Sequence, residues 1–249
     1  FKNELYNGNV SFLGYADITL SDDTILHLTN ENFWNGGVSI EDAVSNDNTF
    51  EIGSTIINKC TLTINNIYDD FSDYDFSNAK VIVYIGLELP DGTTEKIRKG
   101  TYTVDETQYD GSIISLSCLD NMSKFDKTYT ESSLQYPATL NQIVLDACNV
   151  CGVSLQTYDF PHDDFLVNER PNDEAVTFRE IIGWCAQIAC CFCRCDTQGR
   201  LELKWYDQEA LEDEKTLDGG TFDSDSPYST GADADGGTFD PWNDGYEFD

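Results

Sequence analysis

The sequence predicts an α+β protein: an antiparallel β-barrel or sandwich over residues 1–132, then a small helix–loop–helix–β-hairpin unit over residues 133–206. Two observations carry this reading. Up to about residue 120, apolar residues alternate with polar ones at the period of a half-buried strand. After Pro137 the period lengthens to that of an amphipathic helix, twice, and each time behind a capping box. A third stretch, residues 207–249, has neither period and reads as an acidic, Gly/Asp-rich connector.

The strands follow one another with tight turns between them. Ala16, Ile18 and Leu20 alternate with Asp17, Thr19 and Ser21, and the polar turn Ser21–Thr24 leads to Leu26 and Leu28. Val38 and Ile40 follow Gly36-Gly37; Cys60, Leu62 and Ile64 alternate with Thr61 and Thr63. VIVYIGLEL (81–89) runs through Pro90-Asp91-Gly92, a hairpin signal, towards Tyr102 and Val104. Asp110-Gly111 makes another turn before Ile114, Leu116 and Cys118. About seven short strands punctuated in this way suit a barrel or sandwich.

In the second unit, Thr139-x-x-Gln142 opens a helix whose Leu140, Ile143, Val144, Ala147, Cys148 and Cys151 share one face, with Gly152 as its stop. A polar loop carrying Pro161 and Pro171 leads to Thr177-x-x-Glu180 and a second stripe of Phe178, Ile181, Ile182, Cys185 and Ala189. CFCRC, the turn Asp196–Gly199 and RLELKWY (200–206) then form a hairpin. In the connector, DGGTFD occurs at 218–223 and again at 235–240. A calcium-binding roll would need Gly at the fourth position and Asp at the sixth. Phe222, Phe239, Ser224 and Pro241 stand there instead.

Charge excludes some partners. Against 46 acidic residues stand 14 Lys and Arg, a net −32. Residues 207–249 hold 14 acids and Lys215, a net −13, which leaves −19 on residues 1–206. Such a chain repels polyanions, so neither nucleic-acid wrapping nor anchoring to an anionic membrane is expected. The longest apolar run, 81–87, is too short to span a bilayer. The opening residues carry no basic start and no apolar signal core. Because the chain opens on Phe1, the protein is expected to continue beyond one or both ends.

Nine cysteines cannot all pair with one another, and four of them fall in CCFCRC (190–195). Zinc needs four converging ligands. Cys148 and Cys151 lie on a helix's apolar stripe, and Cys191, Cys193 and Cys195 lie along one side of a strand, spread over about 13 Å at the usual rise. A free cysteine behaves as a small buried hydrophobe. The nine are therefore expected to be reduced and metal-free, and CCFCRC to be the inner face of a hairpin. No strand leads into Cys148-x-x-Cys151, as a thioredoxin-like redox motif would require.

The two histidines, His27 in a strand and His162 in the loop Pro161-His162-Asp163-Asp164, are 135 positions apart with no nucleophile motif beside either. Gly36-Gly37 has no phosphate-loop context, and among 46 acids paired carboxylates arise by chance. The expectation is of a protein that is not an enzyme, with no catalytic, cofactor-binding or metal-ligating residues and no cofactor.

Several long runs point further. DAVSNDNTFEIGSTIINKCTLTINN (42–66), FSDYDFSNAKVIVYIGLELPDGTTEKIRKGTYTVDE (71–106), LDNMSKFDK (119–127) and VTFREIIGWCAQIACCFCRCDTQGRLELKWYD (176–207) closely resemble tail proteins encoded by phages and prophages of Firmicutes. The likeness is to the amino-terminal, baseplate-hub-like portion of tail-associated (tail spike or lysin) proteins. It implies a β-barrel hub domain followed by a small α/β domain, assembling as a closed ring, commonly a homotrimer, at the tail tip. The implied partners are the distal tail, tail tube and tape-measure proteins, in a virion assembled in the bacterial host cytoplasm. The implied function is structural: a virion hub through which DNA passes without specific nucleic-acid binding. The alternatives are a docking module for a tail-associated cell-wall lysin whose catalytic domain lies outside this chain, and a free-standing zinc- or glycan-binding domain.

Overall fold

The computed structural model describes residues 12–43, 51–89 and 92–205. The DGGTFD connector, Tyr206 and the Pro90-Asp91 half of the second hairpin turn lie outside the described residues. Contacts group the described residues into one unit that ends at Trp205.

Seven strands form one antiparallel sheet: β1 (Phe12–Thr19), β2 (Ile25–Leu28), β3 (Phe33–Glu41), β4 (Lys59–Asn65), β5 (Lys80–Glu88), β6 (Thr94–Asp110) and β7 (Ile113–Asp120), in the order β2-β1-β5-β6-β7-β4-β3. The alternation in the sequence becomes the register. Ala16 and Ile18, Val81 and Val83, Tyr102 and Val104, Ile114 and Leu116, and Leu62 and Ile64 all turn to the same core. Three register shifts, at Phe33/Val38, Val83/Tyr84 and Val104/Glu106, each add residues on one strand and sharpen the curl of the sheet.

The expected barrel or sandwich is present only as a curled, open antiparallel sheet. Among the described residues no ladder joins the edge strands β2 and β3. β2 is four residues long and covers only the Ala16–Thr19 half of β1. Over the other half β3 closes in through side chains, so tightly that a Cβ on Gly14 would stand 3.0 Å from Val38 Cγ2. The Gly14 N–H donates to Asn30 Oδ1 at 3.2 Å instead of to a neighbouring strand. A side-chain acceptor thus occupies the place of a ladder bond.

The second core begins directly after β7, where Met122, Phe125 and Tyr129 enter it from short 3-10 turns. A two-residue pairing of β8 (Ala138–Thr139) with β9 (Leu166–Val167) flanks the first helix, α1 (Leu140–Cys151). Thr139 Oγ1 accepts from Gln142 N at 3.2 Å while Gln142 Oε1 accepts from Thr139 N at 2.9 Å, and Gly152 ends the helix at φ 67°. Thr177 and Glu180 make the same reciprocal cap for α2 (Phe178–Ile188). All six stripe residues of α1 are buried, as are Phe178, Ile181, Ile182 and Cys185 of α2.

β10 (Phe192–Cys195) and β11 (Leu201–Lys204) close the unit. Neither outer edge of this hairpin is bare. Gly53 N donates to Cys191 O and Cys193 N to Ser54 O, at 2.7 and 2.9 Å, so residues 53–55 run beside β10. On the far side, Gln156 N donates to Leu201 O and Leu201 N to Ser154 O, at 2.7 and 2.8 Å. Gly53 sits at φ 81° against α2, where a Cβ would fall 2.7 Å from Gly183 O.

Candidate functional site

The residues that sequence reasoning singled out are not brought together. His27 stands opposite Asp17 in the β1–β2 register, and its Nδ1 lies 2.7 Å from Asp17 Oδ1 on an exposed sheet edge. His162 sits at φ 60° in a turn whose closing bond runs from Phe165 N to His162 O at 2.9 Å, beside the second core. Gly36-Gly37 falls in the bulge of β3.

The cysteines divide between the cores. Cys60 and Cys118 face each other across β4 and β7. Six more are buried in the second unit, and Cys190, at φ 54°, is exposed. Burial pushes the thiols of Cys60, Cys148 and Cys185 up to about 12 and that of Cys151 to about 11. It also raises those of Cys193 and Cys195 well above the ordinary thiol value. The thiolate is both the nucleophile and the metal-binding form, so these groups stay protonated and unreactive near neutral pH. Among the described residues, no three or more His, Cys, Asp or Glu side chains are placed to hold a metal ion. The hairpin is more enclosed than the alternation suggests. Phe192, on the side opposite the cysteines, is buried too, and Arg194 pairs across the strands with the buried Glu202 at 2.6 Å.

Two cavities border the open side of the sheet and its seam with the hairpin turn, and a third of about 490 Å³ lies along the same seam. The larger, about 500 Å³, opens where the sheet fails to close and is lined by Phe12, Gly14, Phe33, Val38 and Ile85 with Lys99 at its rim. The smaller, about 60 Å³, lies between the sheet and the turn of the β10–β11 hairpin. Its central group is Asp120, whose side chain caps the following 3-10 turn by accepting from Met122 N at 3.0 Å. The second carboxyl oxygen, Oδ2, is buried with no hydrogen-bond partner. Burial pushes this carboxyl up to about 7, although the Met122 and Asn58 amides favour its charged form. Sequence reasoning missed Asp120, and a signal was there: Ile114, Leu116, Cys118 and Asp120 are one period-2 series, so the acid occupies an inward-facing position.

No family model and no curated protein sequence matches this chain. Among solved structures, it is similar to the 43 kDa tail protein of prophage MuSo2 from Shewanella oneidensis, at 16% identity and a TM-score of 0.48, over 78% of this chain and 56% of that one. It is also similar to a chain of the Francisella PdpA–VgrG complex in a half-lidded form, at 13% identity and a TM-score of 0.49, over 87% of this chain and 36% of that one. A third is the tail protein from Neisseria meningitidis MC58, at 13% identity and a TM-score of 0.43, over 79% and 52%. The chain therefore spans about half, or less, of the length of these structures. At such identities and scores the likenesses establish no shared function.

Proposed function

We propose that this chain is a structural component of a phage or prophage tail tip, of baseplate-hub type, and that it works by assembling rather than by catalysis. The observation that supports this reading is where the four resembling runs fall. Residues 42–66 supply Gly53–Thr55, residues 119–127 supply Asp120, Asn121, Met122 and Phe125, and residues 176–207 supply α2 and the hairpin they meet. Three of the four runs thus supply residues where the two cores meet, and the fourth, 71–106, supplies β5 and most of β6 in the sheet.

In this reading the chain forms a closed ring, a homotrimer, with distal tail, tail tube and tape-measure proteins as neighbours in a virion assembled in the host cytoplasm. A basic lumen would hold passing DNA through many phosphate contacts, whereas an acidic one lets it slide. The net −19 on residues 1–206 supplies the acid. Packing like-charged chains side by side costs free energy that salt reduces. Sedimentation of the 249-residue chain across a salt series is expected to show an oligomer that strengthens as salt rises. A chain that stays monomeric at every salt and protein concentration would overturn the ring, and assembly that weakens steadily with salt would overturn the electrostatic account.

A further inference from the structure

Asp120 ends β7 at the junction of the two cores, and its position is unusual for a carboxylate. The residue is 4% exposed, and Oδ2 points without a partner into the small cavity between sheet and hairpin. No Lys or Arg pairs with it among the described residues. The titratable and charged groups around that cavity come from every element packed there. Asp42 follows β3, Lys99 and Tyr102 belong to β6, and Arg194, Cys195 and Asp196 belong to β10 and its turn. The nearby cations are committed or outward-facing. Arg194 is held by Glu202 at 2.6 Å, Asp196 takes Arg200 at 2.6 Å, and Lys99 is exposed. An ionised Asp120 would therefore add a buried negative charge beside Asp42, in a cavity that Asp196 also lines, with the Met122 and Asn58 amides to offset it.

Two hydrogen bonds span the same seam: Thr101 Oγ1 donates to Thr197 O at 2.9 Å, and Asn121 Nδ2 donates to Gly199 O at 2.6 Å. Both join the sheet side to the hairpin turn; Thr101 and Thr197 line the small cavity, while Asn121 and Gly199 line a neighbouring one of about 490 Å³ that Thr101 also borders. The cavity is lined by Asp120 on the sheet side and by Asp196 and Thr197 of the turn, so ionising Asp120 sets like charges against each other across the seam.

We propose that Asp120 is a proton-operated latch: in its neutral form it lets the β10–β11 turn seat against the sheet, and in its ionised form it loosens that seam. The sense of the effect follows from linkage. The folded-state carboxyl titrates at about 7, above the ordinary value of 3.8, so the folded chain holds this proton through a window in which the unfolded chain has lost it. Stability from this group is then highest below the ordinary value, declines as pH rises across the window, and is lowest above about 7.

The test compares the chain with Asp120→Asn, which keeps a capping oxygen for the Met122 amide but cannot ionise. The thermal midpoint of D120N is expected to gain on that of the parent by at least about 5 °C between about pH 5 and about pH 8.5. Over the same range, hydrogen exchange at Thr197–Gly199 and Gly53–Thr55, corrected for intrinsic rates, should accelerate in the parent and stay flat in D120N. Parallel pH profiles for the two proteins would overturn the latch. Should D120N fail to fold, the carbon-13 shift of the Asp120 carboxyl in the parent decides the matter. A titration midpoint well above the usual carboxylate range supports the latch, and one within that range overturns it.

Discussion

The two cores use the same alphabet of small apolar side chains but hold them by different means. In the sheet, each strand from β1 to β7 is bonded to at least one long neighbour, and the ladder positions nearly every inward residue. In the second unit the longest hydrogen-bonded elements are α1 and α2, of 12 and 11 residues, and both β10 and β11 have four. Helices and strands this short are not stable alone in water; packing and caps hold them. The sheet is thus secured chiefly by backbone pairing between distant segments. The helix–hairpin unit depends on a few buried side chains, two capping boxes and the strand it borrows from residues 53–55.

That contrast can be tested where it should be most visible. Ile182 is fully buried on α2, and Ile182→Asp would put an uncompensated charge in the second core at a cost of about 4 kcal/mol or more. Denaturant titration should register the loss. Native-state exchange should show protection lost in α1, α2 and the hairpin before β5–β7. Simultaneous loss in both regions would mean that the two cores unfold as one and the contrast is only geometric.

A smaller effect is expected where the regions meet. Gly53→Ala places a side chain at a left-handed φ and against Gly183 O and Gln187, and should cost about 2 kcal/mol or more. Exchange should rise along β10 and at the contact face of α2, with β1 and β5 unchanged. If only the loop around residue 53 responds, the borrowed strand contributes little to the second unit.

The caps come next in size. Thr139→Ala and Thr177→Ala each remove a side-chain acceptor for an orphan amide and should cost about 1 kcal/mol, measured as a shift in the urea midpoint with an unchanged slope. Equal penalties would show that the two helices contribute alike; a null result at either would point to packing alone as its support.

The smallest expected change is at Cys190. It is the exposed cysteine, so native thiol titration should find one fast-reacting group per chain and eight slow ones. Cys190→Ser should abolish the fast phase and change stability by no more than about 0.5 kcal/mol. A second fast thiol would mean that one of the buried cysteines is reached by local opening, and its position would tell which core opens first.

Sequence alone was enough for the parts whose physics is local. Period-2 alternation placed β1, β4 and β7 and their inward residues, because in a regular strand the side-chain direction is set by position parity. The capping boxes at Thr139 and Thr177 placed both helix starts, because reciprocal bonds three residues apart need no partner from elsewhere. Of CCFCRC, the alternation made Cys191, Cys193 and Cys195 legible as buried, but not the exposed, left-handed Cys190 ahead of the strand or the burial of Phe192. Only the tertiary structure decided that the sheet stays open, because closure depends on how far a four-residue β2 reaches along β1 and on Asn30 taking the Gly14 amide. It likewise decided that Gly53–Thr55 runs beside β10, more than 130 positions away in the chain, since strand neighbours are chosen by shape and burial across the whole molecule. Asp120 shows both levels at once. Its inward phase was written in Ile114, Leu116 and Cys118, but its missing partner depends on what the hairpin turn presents to the cavity, which no local pattern encodes.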